Sequence, residues 1–272
     1  MSMSINTNVG AMAALRNLNT SNTELEMTQL HITTGLKVNG PKDDASTYAI
    51  AQRMRGDIAG MQAVKTALAA GESTVNVAIT AGKAMASLLT EMKAKVVQAN
   101  QAGLDTDSKS ALHNDFTSLR DQLETIVKTA EFNGKNLLTS TGSVLTVLST
   151  VDGSTITVSN QVLDATTLTI QTSSLSNSAN AATALTQIDT AINSVTTALA
   201  ALGSSSKRIE VQTEFTTQLV DILKEGVGNL VDADLAEESA SLQALQIKQQ
   251  LGVQALSIAN QGPQSILALF RG

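Results

Sequence analysis

The chain contains no cysteine and no tryptophan, two prolines, and aromatic rings only at Tyr48, Phe116, Phe132, Phe215 and Phe270. Without cysteine there are no disulfides, thiolate nucleophiles or thiolate metal sites. A thick globular core draws on rings, which bury much apolar area per residue. Here the apolar 42% is mostly Ala, Leu, Val and Ile, which suits close packing of slender helices. Two prolines leave long helices almost unobstructed, so an elongated molecule is expected. Clustered positive charge is also missing. The net charge is -6, and the only adjacent basic pair singled out is Lys207–Arg208. A duplex-binding surface needs grouped Lys and Arg, so no nucleic-acid partner is expected. No apolar run reaches the roughly 18–20 residues that cross a bilayer, which argues against stable membrane insertion. The start, Met1 to Asn8, has neither the basic region nor the apolar centre of a secretory signal.

What is present is helical periodicity, above all at the two ends. Leu15, Leu18, Leu25, Ile32 and Leu36 recur at steps of three or four, or sums of them. Near the finish Leu235, Leu242, Leu245, Leu256 and Ala259 do the same, with Ile247, Leu251 and Ile258 widening the arc. A lone helix of this kind gains little in water and must pack against a partner. The two ends therefore pair with each other, and these ten residues form the expected assembly seam. Apolar surface left over would be covered by other subunits.

The first helix is expected over about 5–36, capped by Asn6 or Thr7, with a break at Gly35 and Gly40-Pro41. Asp43 and Asp44 stand where a second helix exposes its first amides. A stripe then runs from Met54 to Val96, through Gly71 and Gly82, where close backbone approach between helices is expected. Leu112, Phe116, Leu119, Leu123 and Ile126 mark a third helix after Asp105 and Asp107. Asn133-Gly134 ends it through positive φ. Between 139 and 176 the residues turn β-branched: two or three short strands are expected among 144–148, 156–158 and 168–170, with a turn at 151–154. A heptad beat returns from Leu185 to Leu230, weakened by the polar Ser206, Thr213 and Thr216. Gly226 and Gly228 should loosen its last turns. Asp234 caps a terminal helix, which Gly262-Pro263 should break ahead of a tail with Ile266, Leu267, Leu269 and Phe270. The fold class is mostly α: an elongated antiparallel bundle of long helices or coiled coil, with a small β-hairpin region and paired N- and C-termini.

Catalysis has little to stand on. His31 and His113 lack a local nucleophile or an evident carboxylate arrangement, and read as packed or surface helical residues. Asp43–Asp44 and Glu237–Glu238 sit at helix starts, where dipole electrostatics explains them. No strand leads into a glycine-rich phosphate loop. Met54, Met61, Met85 and Met92 share one stripe, which suits core filling rather than a promiscuous peptide groove. No enzyme, cofactor or metal site is expected. The polar faces of the terminal stripes are Asn, Thr, Ser and Gln, which can lie against protein neighbours without a large desolvation cost. An assembly protein follows, with its outward surface at the β excursion and the Ser/Thr-rich stretch 166–179, Ser173 included.

Several segments in order closely resemble bacterial flagellin. They are Ile5-Asn6-Thr7-Asn8; His31 to Asn39 followed by Asp43-Asp44-Ala45; Phe132-Asn133-Gly134 with Leu137-Leu138; Asp234-Leu235-Ala236-Glu237; Gln246 to Gln250; and Ala259-Asn260-Gln261 with Leu267 to Phe270. His31 stands where that family usually has Arg. The short chain resembles the shorter flagellins of alphaproteobacteria. The resemblance implies a structural subunit that polymerises into the flagellar filament for swimming. It implies a terminal coiled-coil domain, 1–40 with 235–272, as filament core. A long-helix bundle, 41–139 with 181–234, would surround it, with 140–180 as a small β-rich excursion at the outer surface. It also implies partners: other copies of the chain, sister flagellins, junction and cap proteins, and export and chaperone proteins of a type III route. The place would be the extracellular flagellar filament. One stretch departs from the pattern that a vertebrate innate receptor reads in this family. Glu91 stands where Arg is expected, Ala94 where Glu is, and Lys95 where Leu is, so receptor activation is not expected. Two other readings stay open from sequence: a hook–filament junction protein, and a secreted helical binding or adhesion module.

Overall fold

The computed structural model describes residues 7–269, with side chains through Gln261. The described chain has the order α1 Val9–Thr34, α2 Ala45–Ala99, α3 Thr106–Thr129, β1 Glu131–Phe132, β2 Lys135–Asn136, β3 Leu145–Leu148, β4 Thr155–Val158, α4 Ser178–Val231 and α5 Leu235–Leu269. The fold is mostly α with a small antiparallel β region, as the periodicity requires. It divides into two compact units: residues 1–56 with 222–272, and residues 57–221.

Helix boundaries follow side-chain chemistry at each end. Asn8 caps α1: its Oδ1 accepts the Ala11 amide at 3.0 Å. The expected start at Ile5 and the Asn6 cap lie outside the described residues. Gly35 closes α1 at φ 71°, a left-handed turn in which its own N–H donates to the His31 carbonyl. Asp44 caps α2, its Oδ1 accepting from the amides of Ser46 and Thr47 and its Oδ2 from the Thr47 hydroxyl at 2.6 Å. The Thr47 hydroxyl and amide, with the Ser46 amide, hold the Asp44 carboxyl below the usual carboxylate range. Asp43 instead gathers the amides of Asn39 and Gly40 in the preceding loop.

The helix break expected at Gly262-Pro263 is absent, and Gly226 and Gly228, expected to loosen α4, lie within it. Helix α4 continues through Gly226 and Gly228 to Val231. A Cβ on Gly226 would lie 3.0 Å from the Met54 Cε, the end of a flexible side chain. Helix α5 continues through Pro263 to Leu269. A proline removes one helical donor, and the carbonyl four residues back, that of Ala259, accepts from the Asn8 Nδ2 at 2.7 Å instead. The side chains of Ile266, Leu267 and Leu269, and Phe270 altogether, lie outside what is described.

The unit 57–221 holds an apolar core running from Val64 to Ile209 and centred on Met85, Leu89, Met92, Phe116, Leu123, Ile188 and Leu202. Met85 and Met92 of the methionine stripe fill this core fully buried, whereas Met54 and Met61 are half-buried. Against it lies the hairpin β3–β4, paired Leu145 to Val158 through Leu148 to Thr155. Val147, Ile156 and Val158 point inward on the period of two that a half-buried hairpin demands. Gly71 seats this hairpin rather than another helix. A Cβ there would overlap the Val147 Cγ2 and lie 2.9 Å from its Cγ1, and a Cβ on Gly60 would lie 3.0 Å from the Val151 Cγ1. Eleven residues are three helical turns, so the two glycines share one face of α2. Gly82 does meet a helix, its would-be Cβ lying 2.8 Å from the Leu199 Cδ2 of α4.

Residues 168–170 do not form a third strand. Asp164 Oδ1 accepts the Thr167 amide at 2.7 Å, and Thr169 adopts φ 59°. A capped turn therefore wins over extension, and Leu168 and Ile170 are buried from it. A second hairpin escaped the sequence reading. β1 and β2 pair across Asn133 (φ 50°) and Gly134 (φ 72°), the two positive φ angles of a tight hairpin turn. Asn136 fastens it, with Nδ2 donating to the Val127 carbonyl at the end of α3 and Oδ1 accepting the Leu138 amide. Ser173 is buried, its hydroxyl donating to the Gln187 Oε1 at 2.6 Å, so the stretch 166–179 is not uniformly outward.

Candidate functional site

The site that the sequence singles out is the pair α1 and α5, and the structure brings them together antiparallel. Their contacts advance in step. Asn8 meets Ala259, Leu18 meets Gly252 through a would-be Cβ distance of 3.2 Å, and Asn22 Oδ1 accepts from Gln249 Nε2 at 2.8 Å. Further along, His31 Nδ1 lies 2.8 Å from Glu238 Oε1. A short backbone bridge closes this end: Leu36 pairs with Asp232, Lys37 N–H donates to the Val231 carbonyl at 2.7 Å, and Ala233 N–H donates to Gly35 at 2.9 Å. Asp234 starts α5, its Oδ1 accepting the Ala236 amide.

Of the ten seam residues, Leu245 is buried and Leu18, Leu25, Ile32, Leu36, Leu242, Leu256 and Ala259 are half-buried. Leu15 and Leu235 stay open, at 47% and 51% exposure. Away from the seam, Ile247, Leu251 and Ile258 share one face of α5 and form a second apolar surface that the pair leaves uncovered. Ile258 is 69% exposed, and Val253 of α5 with Met12 and Leu30 of α1 are open as well. Polar groups also enter the pairing of α1 and α5: buried Thr28, the Asn22–Gln249 bond, and the His31–Glu238 pair. Their signal in the sequence is a polar residue on or beside an apolar stripe.

The histidines are structural. His31 is held by Glu238, both largely covered, and His113 Nδ1 accepts the Leu175 amide at 3.4 Å. Among the described residues, no three His, Asp or Glu side chains are placed to hold a metal ion. No described helix is long and apolar enough to cross a membrane. On α2, Glu91 and Ala94 are exposed, whereas Lys95 reaches Asp115 of α3 at 2.8 Å. Hydrogen bonding to Asp115 and its charge raise the Lys95 pKa.

Comparison with known proteins agrees along the whole chain. Residues 5–143 match the bacterial flagellin N-terminal helical region and residues 185–270 the bacterial flagellin C-terminal helical region. The chain is 48% identical over 269 residues to the flagellin FljK of Caulobacter vibrioides, covering 98% of each chain. It is 39% identical to a flagellin of Brucella melitensis, over 99% of each. It is 34% identical to flagellin C of Rhizobium meliloti, over 98% of this chain and 99% of that one. In fold it resembles a solved hook-associated protein from Vibrio parahaemolyticus at TM-score 0.57 and 16% identity, covering 70% of this chain and 100% of that one.

Proposed function

Because this chain belongs to the bacterial flagellin family, a structural subunit of the flagellar filament and not an enzyme, we propose that the α1–α5 pair is the part that polymerises. The observation that carries this is the second apolar surface on that pair. Met12, Leu15, Leu30, Ile247, Leu251, Val253 and Ile258 are about half exposed or more, although each has the chemistry of a core residue. Large apolar side chains left open along a helix pair mark an interaction surface, and other copies of the chain supply the cover. In this reading 1–40 with 235–272 forms the filament core, 41–139 with 181–234 the surrounding layer, and 140–180 part of the outer surface. The ten seam residues hold the core pair together.

Self-association into filaments is the family's role. The finer set of partners is part of the proposal: sister flagellins, junction and cap proteins, and type III export proteins and chaperones. Several Caulobacter vibrioides relatives carry the name flagellin within that one organism, which supports co-assembly with sisters. The proposed place is the extracellular filament. Exposed Glu91 and Ala94, with Lys95 engaged by Asp115, give α2 a charge pattern unlike the one the vertebrate receptor reads, so this chain is proposed not to activate it. Removing 235–272 tests the core assignment by negative-stain imaging. Filaments should be lost while the unit 57–221 keeps its helical signal and its cooperative unfolding. Normal filaments from the truncated chain would sink the assignment.

A further inference from the structure

We propose that Asn8 sets the register in which α1 and α5 pair, by recognising the one carbonyl of α5 that Pro263 strips of its helical donor. In an α-helix each carbonyl accepts from the amide four residues on. Residue 263 has no amide hydrogen, so the Ala259 carbonyl is left open within a continuous helix. Asn8 fills it, with Nδ2 donating at 2.7 Å. The same side chain turns its Oδ1 to the Ala11 amide at 3.0 Å and caps α1. An amide donor on one side and a carbonyl on the other admit only one orientation of the carboxamide. Asn8 is therefore a two-ended positioning residue.

The leucine stripes cannot do this alone, because heptad-spaced apolar residues fit nearly as well one heptad out of register. Shifted by seven residues, Asn8 would face the Gly252 carbonyl, whose helical donor at Leu256 is present. The same shift would set Asn22 against Leu242 and His31 against Val231, losing both other polar contacts. Against that slip, the open carbonyl is a mark on α5 that the native alignment satisfies. The functional consequence rests on the assembly role of this pair: protomers enter the filament core with one register.

The cysteine-free chain allows a direct test. A Cβ on Gly10 would lie 3.9 Å from the Ala259 Cβ, a separation a disulfide spans. Gly10→Cys with Ala259→Cys reports the native register, and Gly10→Cys with Gly252→Cys a slip of one heptad. Full-length chains are polymerised and mildly oxidised, and intramolecular products are quantified after dissociation. Asn8→Asp keeps the cap acceptor and loses the donor, so the native-to-slipped ratio should fall about tenfold, as expected for a carbonyl left unpaired. Pro263→Ala returns the helical donor to Ala259. In that background the Asn8→Asp effect should shrink to less than about twofold, because the carbonyl no longer depends on Asn8. An unchanged ratio, or an equal effect in both backgrounds, overturns the inference. If Asn8→Asp alone stops growth, restoration by Pro263→Ala supports it and continued failure overturns it. Failure of the assembly reading is distinct, since it would appear as filaments from the chain lacking 235–272.

Discussion

Replacing Gly71 by Ala sets two effects of known sign against each other. Alanine favours an α-helix over glycine by about 1 kcal/mol, and in open space that gain is realised. At Gly71 the new Cβ would overlap Val147 Cγ2 and stand 2.9 Å from Cγ1 and 3.3 Å from Cβ. Val147 is 3% exposed and paired with Ile156, so its backbone is held by the β3–β4 ladder. Its β-branched side chain has no rotamer that withdraws both methyls. The hairpin must lift, and overpacking of this kind costs about 1–3 kcal/mol. With three atoms of a stiff residue involved, the upper part of that range applies, leaving a net loss of about 1–2 kcal/mol. Gly203 is the control within the same unit, since a Cβ there meets nothing within 4 Å. Gly203→Ala should stabilise by about 0.5–1 kcal/mol. Urea unfolding of full-length variants, followed by circular dichroism, should place the two midpoints on opposite sides of the parent. Adding Val147→Ala should recover at least about 1 kcal/mol of the Gly71→Ala loss relative to additivity. If Gly71→Ala stabilises as much as Gly203→Ala, the seating of the hairpin on α2 is wrong.

Leu256→Asp should raise the critical concentration for seeded growth at least about tenfold, because it places a carboxylate in the α1–α5 seam. Thr172→Asp, at an exposed position of the excursion, should leave it nearly unchanged, and equal effects would refute the inside–outside assignment. At the start of α2, the Thr47 and Ser46 contacts hold the Asp44 pKa below its ordinary value, so their stabilisation is present above that ordinary value and disappears as pH falls through the lowered one. Asp44→Asn keeps a cap and should remove that portion of the acid dependence, seen as a flatter stability profile below about pH 4. An unchanged profile would show that the carboxylate contributes nothing there.

The sequence by itself determined that the chain is built of long helices and that its two terminal helices pair. The stripe through Leu18, Leu25, Ile32, Leu242, Leu245 and Leu256 cannot be satisfied by one helix, and that demand survives any tertiary arrangement. Helix starts at Asp44 and Asp234, and the positive φ of Asn133-Gly134, were equally legible, because caps and turns are settled by atoms a few residues apart. Contacts between residues distant in the chain were not legible. Gly71 reads as a helix–helix contact until Val147 is seen against it. Residues 168–170 carry strand composition, yet Asp164 captures the Thr167 amide first. Ser173 reads as surface by composition and is buried because Gln187 satisfies its hydroxyl. Pro263 reads as a break because proline lacks a donor. The tertiary structure alone decides that the orphaned carbonyl is met by Asn8, 251 residues earlier in the chain. Periodicity states which faces must be covered. Which atoms cover them, and in which register, depends on distances that close only when the chain has folded.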